Sequence, residues 1–265
     1  MSRDDSAHFI AKWLQAEPWH RLLLVFEAPA QRHARRLIES LAFELRSTAL
    51  DSSDERVITA KLGWWAEEWR LLAAGTPRHP VTRALASSAT QAIDAHAGGV
   101  WIAAAAALAD DTSDADTPAR IERWQQYTQA QAQAASPWLP VAPGDAYAHA
   151  ASLLSERIVH AQADIERGRL PVPLDTMARL SLTRARIALN DPPTRQAHSA
   201  YAGDLLKALR QPSVRTAGGY RRGHCALSRL RAGAAVRAAD DAAAGSPMVP
   251  ALPPLRSAWV VWRAF

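Results

Sequence analysis

The chain has 265 residues, enough for one large domain or two small ones, with a formal net charge of +5 carried mainly by arginine. One cysteine, Cys225, excludes an intramolecular disulfide and a cysteine-built zinc site. The basic charge is spread out, with no block of five or six like residues, and no aromatic residues interleave with a basic stripe, so nucleic acid is not an expected partner.

Alanine, leucine and arginine dominate, and alternating runs of strand length are almost absent, which predicts an all-α protein. Ser6 is the expected N-cap of a first helix with a stripe of Phe9, Ile10, Trp13 and Leu14. Pro18 opens a short helix through Phe26, and Pro29 a longer one through Leu45 that ends between Thr48 and Ser53. The Ser-Asp cluster there supplies the cap for the next helix, which holds three of the ten tryptophans within six residues. In that helix Ile58, Leu62, Trp65, Trp69 and Leu72 recur at spacings of four and three and form a core stripe. Glu67 and Glu68 lie off the stripe; next to tryptophans they invite an acid/base reading, but solvent-facing carboxylates are expected. Gly75 and Pro77 stop the helix, and Pro80 starts another.

From Val81 the pattern is helical to about Ala109, with Gly98-Gly99 marking a kink or a close helix approach. The apolar stretch from Gly98 to Ala109 is about half the ~20 residues of a membrane span and reads as a buried helix. Asp110 to Asp116 reads as a solvated acidic linker, since the glycine and closing glutamate of a calcium loop are missing. Helices follow from Thr117, from Asp145 to about Arg167, from Thr194 to Arg210 and from Ala226 to Ala244, with an irregular basic stretch from Ser213 to Gly223. His149 and His160, three turns apart on one helix, cannot share a metal, and Cys225 beside His224 reads as structural. A Pro-rich linker near 246–254 precedes a last helix with Trp259 and Trp262, giving one domain over 1–265. The charged N-terminus shows no leader pattern, so a cytoplasmic location is expected.

Phosphate loops, dinucleotide fingerprints and nucleophile elbows are absent. Five segments nevertheless form an ordered pattern: Phe43-Glu-Leu-Arg46, Lys61-Leu-Gly-Trp-Trp65-Ala-Glu-Glu68, Gly75-Thr-Pro-Arg-His-Pro80-Val-Thr-Arg-Ala-Leu85, Arg167-Gly-Arg-Leu-Pro-Val-Pro173, and Leu255 to Arg263. Together they resemble the squalene/phytoene synthase family across nearly the whole chain. The resemblance implies an isoprenoid-synthase bundle of about ten helices around a central cavity, and head-to-head condensation of prenyl diphosphates. It also implies two aspartate-rich motifs holding Mg²⁺, a hard cation that takes carboxylate oxygens and draws away the diphosphate.

Both motifs are eroded here. The first falls on Thr48-Ala-Leu-Asp-Ser52, with Asp51 alone and one position off. The second falls on His160-Ala-Gln-Ala-Asp164, where only Asp164 matches. On the resemblance, Asp164 is the metal ligand, while Arg46, Arg157, Arg167 and Arg169 offer guanidinium forks to diphosphate. No catalytic residue is assigned. The erosion is similar to that in a branch of the family containing mitochondrial assembly factors for respiratory complex I. Two expectations result: a prenyltransferase using Mg²⁺ and prenyl diphosphate, its chemistry weakened or lost, or a non-catalytic protein that binds an isoprenoid, a lipid or a protein partner. Membrane contact would be at most peripheral.

Overall fold

The computed structural model describes residues 5–109, 114–142, 144–189, 191–211, 219–240 and 254–264. Among the described residues every regular element is helical. The chain forms two compact units, one of residues 1–109 with 126–142, the other of 110–125 with 143–265.

The first unit contains α1 (Asp5–Ala16), α2 (His20–Val25), α3 (Pro29–Leu50), α4 (Glu55–Ala73), α5 (Pro80–Ser88) and α6 (Ala95–Ala107), and shares α7 (Thr117–Ala134) with the second. The long α3 starts without a side-chain cap, and Pro29 at its first position removes one of the N–H groups left unpaired there. At the start of α4 the Asp54 carboxylate accepts from the Arg56 and Val57 N–H groups, as the Ser-Asp cluster led one to expect. Its end is a Schellman stop: Gly75 takes φ +77°, its N–H reaches the Leu72 carbonyl, and the Thr76 N–H reaches Leu71.

The tryptophan stripe is core. Trp65 and Trp69 are buried, and the Trp69 ring meets Trp101 and Trp138 edge-on at 5.6 and 6.4 Å between centroids. The 81–109 region is two helices rather than one. It breaks over 89–94, where Asp94 caps α6 by accepting from the His96 N–H. Gly98 marks the close approach: a Cβ there would lie 1.9 Å from Trp69 Nε1, so the indole fits only against a bare backbone.

The second unit adds α8 (Asp145–Arg157), a 3₁₀ turn (Ile158–His160), α9 (Ala161–Glu166), α10 (Leu174–Arg179), α11 (Arg184–Ile187), α12 (Pro192–Ala208), α13 (Gly219–Asp240) and α14 (Pro254–Trp262). Its core is α8, α12 and α13 packed together, with Ala148, Ala151, Ala197, Ala202 and Ala232 at full or near-full burial. Small side chains let these backbones approach, so the alanine-rich composition becomes close packing. Cys225 is part of this seam: its thiol donates to the Ala148 carbonyl at 3.3 Å, and burial pushes its pKa up to about 11. A thiol so placed is inert.

Four sequence expectations need correction. Ser6 lies inside α1, which already includes Asp5. The helix expected over 145–167 is interrupted by the 3₁₀ turn. The final long helix begins at Gly219, within the stretch expected to be irregular. Short α10 and α11 were not foreseen, which with the two breaks takes the helix number above ten. Residues 110–113 of the acidic stretch, 212–218, 241–244 and most of the Pro-rich linker lie outside the described residues. No helix among the described residues is long and apolar enough to cross a membrane.

Candidate functional site

Where the first aspartate motif would fall, α3 is ending. Thr48 Oγ1 donates back to the Glu44 carbonyl at 2.8 Å, and Asp51 sits exposed at the C-cap. The Glu44 carboxylate is held by Lys12 Nζ at 2.7 and 2.9 Å. This turn therefore presents no pair of carboxylates to one cation.

Two residues before Thr48, Arg46 is buried at 6% exposure and donates to both Glu17 oxygens, at 3.0 and 3.3 Å. Trp13 Nε1 and His20 Nε2 also lie on that carboxylate, at 2.8 and 3.1 Å. Burial works against the Glu17 charge, but Arg46 and the His20 and Trp13 hydrogen bonds outweigh it and hold its pKa far below the carboxylate range. Nearby Tyr127 has its pKa pushed up to about 12 by burial, against the pull of Arg46 and Trp101. Arg46 thus closes a buried ion pair between α1–α2 and α3.

The second motif position lies in the other unit. There Asp164 is buried at the start of α9 and ion-paired with Arg157 across the 3₁₀ turn. Burial raises the Asp164 pKa; Arg157, His160 and Arg169 work against that rise. Asp164 also accepts through its carbonyl from the Arg169 N–H at 2.9 Å, and the Gly168 N–H reaches Ile165, with Gly168 at φ +77°. The Arg167-Gly168-Arg169 segment is thus a second Schellman stop. Arg157, Asp164 and buried Arg169 come together here; Arg167, half-buried, is the cap residue of the same stop.

A divalent cation does not fit this arrangement. The one carboxylate is engaged by a guanidinium and flanked by further cationic side chains, which would repel a dication. Among the described residues, no two further carboxylates, imidazoles or thiols join Asp164 within ligating distance. Mg²⁺ coordination needs several such oxygens or free water positions around one or two carboxylates.

Three polar clusters escaped the sequence reading. Glu68 does not face solvent: it is 2% exposed and accepts from the Arg78 and His79 N–H groups, both at 2.8 Å, and from Thr82 Oγ1 at 2.5 Å. Glu67, one position before it, is exposed and paired with Arg70. His79 packs edge-on against Phe9, Trp64 and Trp65, and burial lowers its pKa to about 4 against the pull of Glu68. The tryptophan helix and its Pro-rich turn are therefore a lock within the first unit.

Asp114 also corrects an expectation. It is buried at 3%, held by Arg120 Nε at 2.7 Å and Arg123 Nη2 at 2.5 Å, and Arg120 continues to the Leu170 carbonyl and over the Tyr201 ring. Asp116 caps α7 by accepting from the Ala119 N–H. The described part of the acidic stretch is an anchor, not a solvated linker.

Finally, Glu156 of α8 and His224 of α13 lie 2.6 Å apart in full burial, with Arg231 Nη1 at 3.5 Å and the His149 ring 5.8 Å from His224. His149 is accordingly a core residue. A signal was present in the sequence, since α8 places His149 and Glu156 seven residues apart on one face.

The backbone as a whole matches a dehydrosqualene synthase crystallised with a ligand, at a TM-score of 0.71, covering 98% of this chain and 95% of that chain. This is the isoprenoid-synthase helical fold. Identity to that chain is 11%, so the likeness speaks for the fold alone. No protein-family model and no curated protein matches the sequence.

Proposed function

We propose that this protein is a non-catalytic member of the isoprenoid-synthase fold, one that binds an isoprenoid or other lipid chain without metal-dependent prenyl transfer. The observation that carries this reading is the Asp164–Arg157 ion pair. The one aspartate left of the second motif is neutralised by the chain's own guanidinium, and Thr48 and Ser52 stand where the first motif would place carboxylates. Of the arginines expected to meet diphosphate, Arg46 is committed to Glu17 and Arg157 to Asp164. A ligand role is supported by the fold, since the similar dehydrosqualene synthase was crystallised with a ligand.

The test is incubation with farnesyl or geranylgeranyl diphosphate and Mg²⁺, with extraction of hydrocarbon products, beside a binding titration with the corresponding prenyl alcohols in chelator. Binding without product is the expected result. Product that disappears in Asp164→Ala would overturn the proposal in favour of an active prenyltransferase.

A further inference from the structure

The α12, α13 and α14 helices of the second unit enclose a cleft of about 440 Å³. Its walls carry five guanidinium side chains, Arg210, Arg229, Arg237, Arg256 and Arg263, and no carboxylate among the described residues. None of the five has an ion-pair partner among the described residues. Other arginines of this unit are neutralised: Arg120 and Arg123 by Asp114, Arg157 by Asp164, Arg186 by Asp191. Five like charges around one concavity repel each other, and low-dielectric walls focus their field into it. An anion entering the cleft relieves that repulsion.

The other lining group defines the rest of the ligand. Trp259 is 53% exposed, lies at the cleft wall and carries the Arg263 guanidinium 4.8 Å from its ring centroid. Arg256, Trp259, Val260 and Arg263 fall at spacings of three, four and seven, so one face of α14 offers two forks and an apolar plate together. Guanidinium forks match the paired oxygens of phosphate better than a single carboxylate requires.

We propose that this cleft binds a phosphate-bearing anion, with the phosphate or diphosphate group among the arginines and the ligand's apolar portion against Trp259. The site is separate from Asp164 and does not depend on whether the chain transfers prenyl groups. The phosphate could come from a soluble ester or from an acidic lipid headgroup, and two assays separate the sources. Inorganic diphosphate titrated into the full chain by calorimetry reads the soluble source. Co-sedimentation with phosphatidylcholine vesicles containing phosphatidylglycerol, against vesicles of phosphatidylcholine alone, reads the lipid source.

Binding in either assay, weakened about tenfold or more in Arg256→Gln/Arg263→Gln, is the expected result, since charge-assisted hydrogen bonds to phosphate are being removed. The charge-matched control Arg21→Gln/Arg56→Gln removes two exposed arginines from the first unit and should bind like wild type. All four positions are exposed, so both variants should keep the wild-type circular dichroism and Tm. The proposal is overturned if neither probe binds, if the two double variants bind equally, or if a single-stranded oligonucleotide displaces both probes at lower concentration.

Discussion

Asp164 and Arg157 are joined across the 3₁₀ turn Ile158–His160, the buried carboxylate at the start of α9 against the guanidinium at the end of α8. The helix interruption makes the pair possible. They are seven positions apart, which in unbroken α-helix would be about two turns, about 10 Å of rise. Tightening one turn to 3₁₀ redirects α9 so that the side chains meet.

From this pair comes the first prediction. Arg157→Gln leaves a buried carboxylate with its nearest counter-charge gone and should destabilise the protein by about 2–4 kcal/mol. Pairing it with Asp164→Asn should restore most of that loss, a coupling readable in a double-mutant cycle of Tm or denaturant midpoints. Millimolar Mg²⁺ should leave the wild-type Tm unchanged. A Mg²⁺-dependent rise that Asp164→Asn abolishes would show the carboxylate free to ligate after all.

Glu67 and Glu68 should behave oppositely. Glu68→Ala strands the Arg78 and His79 N–H groups at the turn before α5, leaving Thr82 Oγ1 only the His79 carbonyl, and should cost about 2–4 kcal/mol. Glu67→Ala removes one exposed, solvent-screened pair with Arg70 and should leave the Tm close to that of the wild type. Thermal melts of the two single variants decide it. Equal effects would mean that the Glu68 cluster is not what fastens the turn.

What was legible in the sequence follows from the range of each interaction. The Asp54 cap and the Gly75 stop involve atoms within a few residues, and a residue type with one physical use marks each. The core stripe of α4 could be read because helical period alone sets which residues share a face. Glu68 was misread because its partners are backbone N–H groups ten and eleven residues ahead, with no residue type to announce them. The Ile158–His160 break contains neither glycine nor proline, so tertiary packing, not local chemistry, must impose it. The arginine cleft gathers residues spread from 210 to 263 over three helices, and in sequence they look like dispersed surface charge.

Gly98 and Gly99 give a paired test of close packing. Gly98→Ala drives a methyl into the Trp69 indole, whose Nε1 donates to the Asp94 carbonyl at 3.1 Å, so either the indole or α6 must move. A loss of about 2–4 kcal/mol is expected, with a change in near-ultraviolet circular dichroism from the displaced tryptophan. Gly99→Ala meets nothing within 4 Å and lies on the exposed side of the same helix. It should stabilise by about 0.5–1 kcal/mol through helix propensity. If both substitutions were harmless, Trp69 would not be seated against bare backbone.

His198 supplies a pH dependence. It is buried on α12, neither ring nitrogen has a hydrogen-bond partner among the described residues, and burial lowers its pKa to about 4 from an ordinary 6.5. Between those values the unfolded chain binds the proton and the folded chain does not, so stability rises with pH across the window. The contribution is complete above about pH 6.5 and is lost as pH falls toward 4. For a group this buried it amounts to roughly 2–3 kcal/mol. His79 adds a smaller effect of the same sign, being more exposed. Replacing His198 by Leu removes the titration while keeping an apolar side chain of similar size, so the fall in Tm from pH 7 to pH 5 should become shallower than in wild type. The Glu17 contribution is complete above its ordinary value of 4.5 and is lost only as pH falls below that, toward its lowered folded pKa. The two effects therefore separate along one acid titration. An unchanged slope between pH 7 and 5 in His198→Leu would mean that the imidazole already carries its proton in the folded state.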